Sequence, residues 1–273
     1  ENVSEPPIRG EALLEKAEIE LEELHDPSGA IATLDRVPED AKLRGRSVRE
    51  RLHVLRIDAL LALGRLDEAS ERAASLLSEN PRDETRHRAR YYLGYIAFLG
   101  LDAERTLEEL RALVEENPAG ELVNDALRLM LVVSDAQETN ELAPLRHLAE
   151  AHAAMLSGRH DEAEARLETL IETAGTQPIA SEGLMLLGEV REASGRYEEA
   201  LETYAEAAGE ERTLATRAEA LMRRGAILHR ELGRPGDALA EYVTLIETLP
   251  SNFLTGEARR RAEEIRRREG LRG

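Results

Sequence analysis

The chain has 273 residues, enough for one large domain or two smaller ones; 42% are hydrophobic, yet aromatics make up only 3%, with two Phe and no Trp. A core without aromatic bulk is built from Ala and Leu, which suits closely packed helices and speaks against a β-sandwich. The formal charge of −19 repels phosphate backbones and anionic lipid headgroups, and the absence of Cys removes disulfides, thiolate chemistry and Cys-ligated metals.

In chain order, residues 1–9 open with Glu1-Asn2-Val3-Ser4-Glu5-Pro6-Pro7, whose paired prolines predict an extended arm. A first residue other than Met predicts a removed leader or an excised portion of a longer product. Residues 10–135 are expected to form three helix pairs, the first a degenerate terminal copy around Ala30 and Leu34. Next comes a basic segment in which Lys42, Arg44, Arg46, Arg49, Arg51 and Arg56 face only Glu50; such clusters are ordinarily solvated helix faces. The second pair turns at Gly64 and carries Ala69 before Pro81 stops it. The third has Leu93-Gly94, Thr106 and Pro118, and a lone helix over 121–134 follows.

The polar run Asp135 to Glu141 is the expected hinge to a second half, 141–273. Its first pair has Ala151, Gly158, Ala163, Leu167 and Leu170; its last has Gly225, Gly233, Ala238, Tyr242 and Leu245, ending at Pro250. A capping helix over 252–269 carries Arg259 to Arg261 and Arg266 to Arg268. Marking each second helix by its small residue gives positions 30, 69, 106, 163, 200 and 238, in steps of 39, 37, 57, 37 and 38. The one long step holds the lone helix. Charge is uneven too, with 15 acidic and 6 basic side chains over residues 143–212.

The clearest copy runs from Leu184 through Gly188 to Val190, then Gly195, Tyr197, Ala200, Tyr204 and Ala207. It resembles the tetratricopeptide repeat: Leu-Gly in the first helix, Gly at the turn, then Ala, an aromatic and Ala along the second. Gly188 and Ala200 let two helices approach, and Tyr204 is expected to fill the gap to the next repeat. The resemblance implies an all-α, right-handed α-solenoid of about six such helix pairs plus two single helices. It implies a non-catalytic scaffold for protein–protein interaction. The period exceeds the ~34 residues of the family consensus. With the proline-closed second helices, it is loosely similar to bacterial cell-envelope members, the outer-membrane assembly lipoproteins and the coordinator proteins of the Tol–Pal system. That likeness implies a periplasmic or cell-surface setting.

Enzyme signatures are missing: no phosphate-binding Gly-rich loop, no nucleophile elbow and no zinc-binding His pair on a helix. His147 and His152, five apart, fall off one helical stripe. No catalytic residue, cofactor or metal is therefore expected, nor a nucleic-acid partner or direct membrane insertion.

In solenoids of this family the first helix of each pair lines the concave face, so steps of three and four along it select the groove. The stripes are Arg88, Tyr91, Tyr95 and Phe98; Leu145, Leu148, His152 and Met155; Glu182, Met185, Glu189 and Glu192; and Met222, Ala226 and His229. Met and Tyr are suited to gripping a peptide or helix. Packing between adjacent repeats is the other role open to these side chains. The Lys, Asn and Arg clamp of co-chaperone members is not matched, because only Lys16 and Lys42 occur and the stripes hold no Asn. The expected partner is a protein or peptide in the groove. The alternative is a homo-oligomer, with the basic segment of one copy stacking on the acidic region of the next.

Overall fold

The computed structural model describes residues 6–37, 46–139 and 142–270. Among these, fourteen α-helices and no strand are found, and the chain divides into two compact units, Glu1–Arg159 and His160–Gly273. The first unit holds α1 (Pro6–Glu22), α2 (Pro27–Leu34), α3 (Arg46–Ala62), α4 (Leu66–Ser78), α5 (Asp83–Leu99), α6 (Ala103–Glu116), α7 (Val123–Thr139) and α8 (Leu142–Leu156). The second holds α9 (His160–Ala174), α10 (Pro178–Ala193), α11 (Tyr197–Ala207), α12 (Leu214–Arg230), α13 (Pro235–Thr248) and α14 (Thr255–Glu269).

Three expectations about boundaries change. Residues 6–9, read as part of an extended arm, begin α1. Proline fits a first helical turn because its fixed φ is already helical and its missing N–H has no partner to lose there; residues 1–5 lie outside the described residues. The expected hinge at 135–141 is helical through Thr139, and 140–141 lie outside the described residues. The units separate instead between Arg159 and His160. The helix expected to open the second half, α8, therefore belongs to the first. Five pairs lie whole within a unit: α1 with α2, α3 with α4, α5 with α6, α10 with α11 and α12 with α13.

Each pair closes on a residue with almost no side chain. The marker positions Ala30, Ala69, Thr106, Ala163, Ala200 and Ala238 all have zero exposure. Thr106 fits among the alanines because its hydroxyl turns back to donate to the Asp102 carbonyl at 2.7 Å. In the third, fifth and sixth pairs the first helix offers glycine, at Gly94, Gly188 and Gly225. A Cβ on Gly188 would lie 2.3 Å from Cε1 of Tyr204, and one on Gly225 would lie 2.5 Å from the same atom of Tyr242. Tyr204 thus fills its own pair, its ring packed against Gly188, with its hydroxyl donating to Glu192 at 3.2 Å.

Polar staples set one repeat against the next. The Glu50 carboxylate on α3 accepts from the Arg82 backbone N–H at 2.9 Å, from Arg82 Nε at 2.7 Å and from the Thr85 hydroxyl at 2.9 Å. Burial alone raises its pKa, but these donors outweigh burial and hold it below the usual carboxylate range.

The two single helices differ on their outer faces. Aligning Ala126 of α7 with Ala258 of α14, both buried, puts Leu127 opposite Arg259 and Leu131 opposite Glu263. α14 presents charge to solvent at these positions. In α7 the equivalent leucines are 47% and 62% exposed.

Turns within pairs use a left-handed residue two positions before the second helix: Gly64 (φ 68°), Gly158 (φ 68°), Gly195 (φ 71°) and Gly233 (φ 60°). In the third pair the same place holds Leu101 at φ 60°, where a Cβ costs roughly 1–2 kcal/mol. Leu101 is 36% exposed, so the apolar surface it does bury offsets part of that cost. We expect Leu101→Gly to raise the unfolding free energy by about 1 kcal/mol. Urea titration of the variant checks this, and a lowered midpoint contradicts it.

Candidate partner-binding groove

The stripe on α5 forms a row of rings. Tyr91 and Tyr95 stack with centroids 5.9 Å apart and planes 10° from parallel, and Phe98 lies 6.1 Å beyond Tyr95. This follows from helical spacing, since positions three and four apart share a face. His152 of α8 stands edge-on to the middle and the far ring of the row, 5.6 Å from Tyr95 and 5.4 Å from Phe98. The Tyr95 hydroxyl lies 2.9 Å from His152 Nδ1. With the imidazole neutral and its proton on Nε2, the hydroxyl donates. Burial pushes the His152 pKa down to about 4. Burial, and then the neighbouring Tyr91, raise that of Tyr95.

Two residues that the sequence pattern did not single out adjoin the row. The Tyr92 hydroxyl donates to Asp58 Oδ1 of α3 at 2.5 Å. Burial pushes Asp58 up to about 6, against the Tyr92 hydrogen bond and the charge of Arg88, which both lower it. The signal was present: Asp58 interrupts the apolar run from Ile57 to Leu63. Arg88, also half-buried, therefore acts on Asp58 from the same stripe.

The stripe residues do not form one surface. Arg88, Tyr91, Tyr95, Phe98 and His152 come together in the first unit, and Phe98 is only 1% exposed. Met155 is half-buried on α8. In the second unit Met185 and Met222 are 3% and 8% exposed and sit in the core with Leu184, Tyr204 and Leu221. They take the packing role between repeats. Glu189 is paired with Arg223 at 2.6 Å, and Arg223 reaches Glu192 at 3.6 Å.

The charge clusters are largely internal. Arg46 meets Glu50 at 3.2 Å, Arg51 meets Glu18, and Arg56 meets Asp35 at 3.0 Å; Lys42 and Arg44 lie outside the described residues. In the acidic stretch, Glu164 takes both Arg191 and Arg196. On α14, Arg260 and Arg261 share Glu257. A cavity of about 350 Å³ opens beside Arg88, lined by Asp83, Glu84, His87, Asn117 and Glu121. Among the described residues no group of three or more His, Asp or Glu could hold a metal ion. No helix among them is long and apolar enough to cross a membrane.

The model of the tetratricopeptide repeat matches residues 54–121 and 148–216, half of the chain, and the chain belongs to that family. Its fold class is the all-α repeat solenoid, and its general role is as a scaffold for protein–protein interaction. The family is generally non-catalytic. No curated protein matches the chain. Among solved structures, it is similar to a tetratricopeptide repeat protein from Parabacteroides merdae ATCC 43184, at 17% identity and a TM-score of 0.41, covering 93% of this chain and 99% of that one. It is also similar to a chain in the structure of Naa15/Naa10 bound to HypK-THB, at 14% identity and a TM-score of 0.34, covering 94% of this chain and 39% of that one.

Two buried groups give the first unit opposite responses to acid. His152 has a depressed folded pKa, so its contribution is full above pH 6.5 and is lost as pH falls toward 4. Asp58 has a raised one, so its contribution is full below 3.8 and is lost as pH rises through 6. In the native chain the two partly cancel between pH 4 and 6.5. Asp58→Asn should make stability fall more steeply on acidification, and His152→Phe should make it fall as pH rises across the same window. Urea midpoints measured at half-unit pH intervals check this; parallel profiles for the two variants would contradict it.

Proposed function

We propose that the chain is a non-catalytic scaffold that takes a peptide or helix on the first-helix face of its N-terminal unit, with Arg88, Tyr91, Tyr95 and Phe98 at the centre. One observation carries this reading: the ring row on α5 already accepts a helix, because α8 meets it through His152. Stacked, amphipathic rings provide large contact area at low conformational cost, which is what a helix-binding face needs. The polar neighbours suit it as well, since Arg88 and the adjoining cavity with Asp83, Glu84 and His87 supply a rim to orient a partner. Met185 and Met222 do not belong to this surface. The setting in a bacterial envelope assembly rests on the long, proline-closed repeat alone.

The reading is tested by selecting helical peptides from a display library against the full chain. Binding of the selected peptides to Arg88→Ala/Tyr91→Ala should weaken tenfold or more, while the thermal midpoint moves little, because both side chains are half-exposed. Selected peptides that bind the double variant unchanged would contradict the groove.

A further inference from the structure

Within the first unit, among the described residues, the main contacts of α8 are with α3, α5 and α7, first helices of repeats and the lone helix. It therefore lies along the face that the repeat architecture leaves for ligands. Two of its side chains show how it is held. His152 wedges between Tyr95 and Phe98, and Leu156, one turn further on, packs against the α3–α5 core of Ile57, Leu60, Tyr92 and Ile96. Leu145 and Leu148 continue the same stripe toward its N-terminus, 2% and 1% exposed. The spacing of three and four from Leu145 to Leu156 is that of an amphipathic helix laid in a groove.

The repeat pattern reads α8 as the first helix of a pair, through Ala151, Gly158 and Ala163, yet within the first unit it touches α3 and α5 as well as α7. On α7 itself, Leu127 and Leu131 stand exposed. In α14, the helix equivalent to α7, the same positions are Arg259 and Glu263. α8 leaves these two leucines uncovered while it touches α3 and α5.

Resting on the groove reading above, we propose that α8 is an intramolecular ligand of the N-terminal unit. The groove takes a partner's amphipathic helix with the apolar spacing of Leu145, Leu148, His152 and Leu156, and does so only when α8 has left. A tethered helix competes at an effective concentration in the millimolar range. A partner's apparent affinity is reduced by the fraction of molecules whose groove is vacant.

The chain has no Cys, so Tyr95→Cys/His152→Cys places a unique thiol pair across the contact. The probe is a fluorescein-labelled synthetic peptide of residues 142–156, titrated into the full chain. It should bind the oxidised double variant at least tenfold more weakly than the same variant reduced, a comparison that holds the loss of Tyr95 constant. Leu148→Asp, which weakens α8 in place, should bind the peptide at least tenfold more tightly than the native chain. His152→Ala serves the same purpose should that variant fail to fold. Equal binding by oxidised and reduced forms, or no binding by any α8-weakened variant at ~1 mM peptide, overturns the proposal. Library-selected peptides that depend on Arg88 and Tyr91 yet bind the oxidised and reduced forms alike would overturn the gating while leaving the groove itself standing.

Discussion

Helices in this chain can pack only as closely as the residue at their crossing point allows, and everything else is arranged around that limit. With few aromatics available, the core is filled by bringing backbones together over Ala30, Ala69, Thr106, Ala163, Ala200 and Ala238, all fully buried. Interiors are packed to crystal-like density, so such a crossing tolerates no added methyl without displacement. The aromatics that do occur are used where one small residue leaves a cavity for them: Tyr204 over Gly188 and Tyr242 over Gly225. The third pair carries the largest group of rings, Tyr91, Tyr92, Tyr95 and Phe98.

That group is what gives the N-terminal unit a distinct surface. Tyr91, Tyr95 and Phe98 form a row because they are a helical stripe, and His152 joins it because α8 folds onto it. Beneath the row lie Asp58 and Tyr92, a hydrogen-bonded polar pair in an apolar setting that pins α3 to α5. The inner face of the second unit is different in kind. There the methionines are core, and what faces outward is charge paired to charge, as with Arg223 between Glu189 and Glu192.

Much of this was legible in the sequence for a local reason. Small residues at a fixed period locate helix pairs, because the crossing geometry repeats with the chain. The lone helices were readable from the proline before each and from the single long step in the markers. Spacing along α5 likewise put its rings on one side. What was not legible is non-local. Periodicity says which residues share a face but not which helix meets that face, so Met185 and Met222 looked like groove residues although neighbouring repeats bury them. The same limit hid the docking of α8 on α5 and the boundary after Arg159. The start of α1 at Pro6 was missed because proline opposes helix everywhere except in the first turn.

The central claim is that α8 rests on the ring row of α5, and the most direct test is a nuclear Overhauser experiment on the intact chain. Two Phe and seven His make the ring region sparse enough to assign. The account predicts cross-peaks from the His152 imidazole protons to the ring protons of both Phe98 and Tyr95. An imidazole with no contact to either ring, in a chain whose α5 signals remain folded, would contradict it.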